Sequence, residues 1–136
     1  MAEKIFQLEI VTPRKVVFSG SVESFSAPGV EGGFQVLKSH AALLSSIETG
    51  EVKLRDQHGS EVRFATSGGF VEVQDNKVVL LAETAERNDE IDVARAESAQ
   101  VRAQKRLAEK APNLDRLRAE AALWRALNRL RIASKN

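Results

Sequence analysis

Arg95, Arg102 and Arg106 follow one another at intervals of seven and four residues, and Arg118, Arg125 and Arg129 repeat those intervals. At about 3.6 residues per helical turn, each triplet forms a narrow stripe of guanidinium groups. Arginine's planar fork makes bidentate, charge-assisted hydrogen bonds to phosphate or carboxylate. Two such stripes on neighbouring helices have the chemistry to hold one multiply charged anion, or to dock on an acidic protein surface; solvated helix faces are the plainer reading. Asp92 stands three residues before Arg95, the spacing of a surface ion pair worth about 0.3–0.5 kcal/mol.

No other group of residues has the pattern of a catalytic centre. Nucleophilic hydrolysis needs a nucleophile, a base and an orienting group. Ser39-His40 offers two of these as immediate neighbours, which reads as a loop with a structural histidine. Gly29-Val30-Glu31-Gly32-Gly33 lacks the following Lys-Ser/Thr of a phosphate loop and reads as a tight turn. Glu83 and Glu86 form an acidic pair with no aromatic sugar platform beside them, so a solvated turn is expected. The chain has no Cys and only two His, at 40 and 58, which removes thiolate chemistry and leaves little for a transition-metal site.

The elements that must position these residues fall into two groups. All eight glycines lie at or before Gly69. Phe6–Ile10, Val22–Phe25, Val52–Arg55, Val62–Phe64 and Phe70–Val73 alternate apolar and polar residues as half-buried strands do. Val78–Ala82 is continuously apolar and reads as a strand covered on both sides. Asp56–Ser60 and Asp75-Asn76 supply hairpin turns. Eight or more short antiparallel strands, forming a small β-sandwich or flattened barrel, are expected over residues 1–87.

From 88 to 136 the pattern changes to Ala, Leu, Arg, Glu and Lys, all good helix formers, interrupted at Pro112-Asn113. The expectation is a hairpin of two helices, 91–110 and 114–132. Asn88 or Asp89 is the expected N-cap of the first, followed by Glu90 and Asp92 near the positive end of its dipole, and Asn113 and Asp115 repeat that arrangement for the second. Leu114, Leu117, Ala121, Trp124 and Leu127 form the expected buried stripe of the second helix, with Leu123 and Leu130 beside it. Ile91, Ala94, Val101 and Leu107 are the sparser stripe of the first. So little apolar surface leaves modest energy opposing release of the arm. No internal repeat is expected.

Charge divides at the same place. The chain carries 20 Lys+Arg and 19 Asp+Glu. Residues 1–90 hold 9 basic and 14 acidic side chains, net −5, and residues 91–136 hold 11 and 5, net +6. A basic arm with one aromatic, Trp124, lacks the interleaved stacking platforms of a nucleic-acid binder, so no nucleic-acid partner is expected. Neither a signal peptide nor a membrane span is expected.

Together these residues resemble the epsilon subunit family of F-type (rotary) ATP synthases, bacterial type. Leu8-Glu9-Ile10-Val11-Thr12-Pro13, Gly29 to Leu44, Gly68 to Val73, Asn76, Val78 to Glu83, Ala85-Glu86 and Ile91 to Ala96 carry the resemblance along the whole chain. Lys38-Ser39-His40 departs from it, since many members read Pro-Gly-His there. The resemblance implies a β-sandwich followed by an α-helical hairpin, in a non-catalytic central-stalk subunit that supports ATP synthesis coupled to proton transport. It implies the gamma subunit, the c-ring and the alpha/beta catalytic ring as partners. Gly32, Gly33, Lys38, Ser39 and His40 would form the rotor-ring contact loop. The location implied is peripheral, at the cytoplasmic face of the bacterial membrane, with membrane association only through the complex.

By the same resemblance the helical hairpin inhibits ATP hydrolysis. Ile91-Asp92-Val93-Ala94-Arg95-Ala96 matches the motif through which some bacterial members bind ATP. Glu86, Ile91, Asp92, Arg95, Ala96, Arg102, Arg125 and Arg129 are the implied ATP-binding residues. ATP would be a regulatory ligand, with Mg open, and no cofactor or metal is required. A stand-alone ATP-sensing module is the alternative reading, and a basic nucleic-acid adaptor a more distant one.

Overall fold

The computed structural model describes residues 4–109 and 115–135. The chain separates into two compact units, Met1–Arg87 and Asn88–Asn136. The first contains β1 (Phe6–Val11), β2 (Val16–Ala27), β3 (Phe34–Val36), β4 (Leu43–Asp56), β5 (Glu61–Gln74), β6 (Lys77–Ala82) and β7 (Ala85–Arg87). The second contains a 3-10 turn (Asn88–Glu90), α1 (Val93–Glu109) and α2 (Arg116–Ala133).

Strands β1, β6, β5, β4 and β2 follow one another in hydrogen-bonded order, and β1 also pairs with β2, which closes the ring. β3 extends from β2, and β7 pairs with β5. Closure removes the exposed edges that an open sheet would have to protect. The pairs are antiparallel except β1–β6, which is parallel over Gln7↔Lys77 to Val11↔Leu81. These two strands are far apart in sequence, so no hairpin dictates their relative direction.

The seven strands among the described residues are fewer and longer than the eight or more expected. Val62–Phe64 and Phe70–Val73 are the two ends of β5. Gly68 (φ 117°) and Gly69 (φ 150°) bend that strand without ending it. A Cβ at Gly69 would lie 2.1 Å from the Leu81 carbonyl oxygen, so glycine alone lets β5 and β6 pair this closely.

Alternating residues point into the ring. Phe25, Phe64, Leu8, Ile10, Leu54 and Leu80 are among the largest fully buried side chains, and each contributes roughly 1.5–3 kcal/mol on leaving water. Val78–Ala82 is covered on one side and not two. Val78, Leu80 and Ala82 are buried, while Leu81 is 56% exposed. The expected turns are present: Asp56 Oδ1 accepts the backbone N–H groups of His58 (2.8 Å) and Ser60 (2.9 Å).

In the second unit, the Asn88 side-chain amide just before α1 donates to the Lys135 carbonyl just after α2, at 2.5 Å; the helices therefore pack antiparallel. Ala96 and Ala103 on α1 and Ala119 and Ala126 on α2 are buried. This corrects both expected stripes. On α2, Leu117 is 80% exposed and Trp124 51%, Ala121 and Leu127 are exposed, and Leu123 and Leu130 are half-buried. Ile91, just before α1, is buried and Leu107 on α1 is half-buried, but Ala94 and Val101 are exposed. Interaxial distance depends on the side chains at the contact, and alanine facing alanine brings the backbones close enough to gain dispersion along the seam.

The caps also differ from expectation. Asn88 and Asp89 lie in the 3-10 turn. Asp92 caps α1, its Oδ1 accepting the Arg95 backbone N–H at 3.0 Å. Asp115 caps α2 in the same way through Arg118 N–H, also at 3.0 Å. The Asp92 carboxylate thus serves as a cap where a side-chain ion pair to Arg95 was expected. Pro112, Asn113 and Leu114 lie outside the described residues.

Candidate functional site

The matching caps mark an internal repeat that the sequence analysis missed. Residue n matches residue n + 23 for Asp92/Asp115, Arg95/Arg118, Ala96/Ala119, Glu97/Glu120, Ala99/Ala122, Arg102/Arg125, Ala103/Ala126, Arg106/Arg129 and Leu107/Leu130. Aligning the two arginine triplets would have shown it. Each helix starts at an Asp cap, turns the same alanines inward, and carries its arginines about 100° round from that seam. The two arginine rows thus occupy equivalent positions on the two helices.

The motif Ile91-Asp92-x-x-Arg95-Ala96 can now be resolved into separate jobs. Asp92 caps the helix, and Ala96 lies in the buried seam. Ile91 precedes the cap and is buried, at the position from which an apolar residue can staple a helix start. Arg95 is exposed, as is Arg102, while Arg125 and Arg129 are half-buried. Glu86 is apart from these: it lies in β7 of the first unit, paired in register with Ala65. In that unit Arg63 and Arg55 are committed to Glu51 and Glu61, each at 3.1 Å.

The expected contact loop lies in two stretches either side of β3. Gly32 (φ 128°) closes a turn by donating its N–H to Gly29 O at 3.0 Å. Ser39 has a left-handed backbone (φ 62°), and its N–H donates to Asn76 Oδ1 at 2.7 Å. His40 Nδ1 lies 2.7 Å from Ala41 O. A carbonyl only accepts, so Nδ1 carries the hydrogen, and the ring is held by its own loop.

An apolar groove of about 790 Å³, not anticipated from the sequence, lies on the first unit, lined by Val11, Pro13, Val30, Ile47, Phe70 and Leu81 among others, with Glu48 and Glu83. Phe70 and Leu81 are cross-strand partners, each 56% exposed. Exposed apolar patches of this kind mark interaction surfaces. The outward half of the Val78–Ala82 run carried the signal. Among the described residues no helix is long and apolar enough to cross a membrane.

A closed ring of β-strands followed by a hairpin of two helices defines the fold class of the chain. The family model "ATP synthase, Delta/Epsilon chain, beta-sandwich domain" matches residues 5–88, and "ATP synthase, Delta/Epsilon chain, long alpha-helix domain" matches residues 89–134. The chain belongs to the ATP synthase delta/epsilon chain family. It is 54% identical to the ATP synthase epsilon chain of Pelotomaculum thermopropionicum, over 99% of this chain and 100% of that one. It is 42% identical to that of Syntrophomonas wolfei, over 99% and 98%. Its fold resembles a chain in the Euglena gracilis mitochondrial ATP synthase OSCP/F1/c-ring structure, with a TM-score of 0.76, 22% identity and coverage of 91% of this chain and 78% of that one.

Proposed function

We propose that this chain is a non-catalytic central-stalk subunit of a proton-translocating ATP synthase, peripheral at the cytoplasmic face of a bacterial membrane. Family membership across both units carries the reading. The β unit binds the gamma subunit through the groove around Phe70 and Leu81, and meets the c-ring through Gly32, Gly33, Lys38, Ser39 and His40. Transmitting torque needs rigid surfaces and no chemistry, which suits a closed ring of strands.

The helical arm is the regulatory part. Its alanine seam gains little on packing, and its net charge of +6 over residues 91–136 favours acidic surfaces of the alpha/beta ring. Deleting residues 89–136 is expected to leave ATP synthesis coupled and to raise ATP hydrolysis by the complex; unchanged hydrolysis would remove the inhibitory role.

The repeated arginine rows of the two helices favour a second element, binding of ATP as a regulatory ligand. Arg95, Arg102, Arg125 and Arg129 would contact phosphates, and Asp92 and Ile91 would hold the helix start that presents Arg95. Ala96 allows close approach. ATP shifts the arm's position only by its differential affinity for the two states. Calorimetry of the pure chain with ATP, with and without Mg, tests this. Wild-type binding by an Arg95→Ala, Arg125→Ala double variant would discard the assignment.

A further inference from the structure

Residues 37–41 combine an unfavourable backbone with an external tie. Ser39 has φ 62°, a region that side chains with a Cβ rarely occupy and that glycine enters freely. Within the loop, the His40 N–H donates to Leu37 O at 3.2 Å and His40 Nδ1 is bonded to Ala41 O. Neither bond fixes the loop relative to the sheet.

Asn76 does. It occupies the β5–β6 turn, itself left-handed at φ 60° after Asp75 at φ 51°. Its Oδ1 accepts the Ser39 N–H at 2.7 Å, 37 residues away in sequence. Its Nδ2 donates to Ile5 O at 3.2 Å, and its own carbonyl accepts the Gln7 N–H at 3.2 Å. One side chain therefore joins the loop, the β5–β6 turn and the entry to β1. The short bond to Ser39 offsets the cost of a non-glycine residue in a left-handed conformation.

We propose that Asn76 is a positioning residue for the rotor-ring contact: it holds Ser39 and the flanking Lys38 and His40 in the arrangement that the ring meets. This rests on the reading of that loop as the ring contact. Preorganising a loop reduces the ordering that binding must otherwise supply, so the effect should appear in affinity without a matching loss of overall stability.

The test uses the full chain with Asn76→Gly and Asn76→Asp. Glycine accepts φ 60° and deletes both side-chain bonds; aspartate keeps the acceptor facing Ser39. Two quantities are read: exchange of the Ser39 amide hydrogen, and the affinity of the fluorescently labelled chain for a gamma–c-ring subcomplex. Asn76→Gly should raise Ser39 exchange and weaken ring binding, each about five- to tenfold, while core amides exchange as in wild type. Asn76→Asp should restore most of both. The proposal is overturned if Asn76→Gly leaves Ser39 exchange unchanged, or frees it without weakening binding. A Lys38→Ala, His40→Ala variant separates the premises. If it binds less well while Asn76→Gly binds normally, positioning alone fails; if it too binds as wild type, the ring-contact reading fails with it.

Discussion

Asp56 shows what one side chain contributes to the β4–β5 turn and how pH should reveal it. Its carboxylate accepts hydrogen bonds from the backbone of Ser60 and His58, which hold its pKa below the usual carboxylate range, with further help from the nearby His58 charge. A folded pKa below the unfolded one means that the unfolded chain binds the extra proton first. The contribution is therefore fully present above the unfolded value of about 3.9 and is lost as pH falls through the folded value. Asp56→Asn keeps an oxygen acceptor and removes the titration. Urea midpoints measured from about pH 6 down to pH 3 should fall less steeply for Asp56→Asn than for wild type. Parallel curves would show that the turn carboxylate contributes nothing. Gly69 makes a complementary prediction. Any Cβ there meets the Leu81 carbonyl, so Gly69→Ala should cost about 2–4 kcal/mol in chemical denaturation.

At the scale of elements, the hairpin separates what pattern reading captures from what it misses. The change to helix formers near Asn88 was legible because composition and breakers change together there. The caps and the seam were not. A stripe of Leu and Trp outweighs alanine on any hydrophobicity scale, yet Leu117 and Trp124 face out and Ala119 and Ala126 face in. Seam geometry depends on how closely two backbones can approach, a property of the pair that neither helix shows alone. The same limit hid the groove: Leu81 looked buried because its neighbours in sequence are. In the candidate site, the arginine spacing was legible, but the structural duties of Ile91, Asp92 and Ala96 needed the cap and seam to be seen. Ala103→Leu should accordingly cost the hairpin about 1–3 kcal/mol through overpacking, whereas Leu117→Ala should stay within about 0.5 kcal/mol. Asp92→Ala and Asp115→Ala should each cost about 1 kcal/mol. Helix content followed by circular dichroism through a denaturant series checks all four, and a larger loss for Leu117→Ala than for Ala103→Leu would overturn the alanine seam.

For the whole molecule, the two units differ in how they obtain stability. The continuous core cluster, from Phe6 to Ala82, with Val17, Phe18, Phe34, Leu43, Val62 and Ala85 packed against it, lies entirely within the first unit. Nothing in that core requires a residue beyond Arg87. The hairpin buries mainly alanine, at about 0.8 kcal/mol per methyl-sized group, and helices of 17 and 18 residues draw most of their stability from tertiary packing. A chain ending at Arg87 should therefore fold cooperatively, with a thermal midpoint within a few degrees of that of the β unit in the full chain. A peptide of residues 88–136 alone should show partial, broadly melting helicity. Scanning calorimetry of the three species decides the matter. If the chain ending at Arg87 fails to melt cooperatively, the β unit does not carry its own stability, and inhibition could not be relieved by removing the arm while leaving the stalk contact intact.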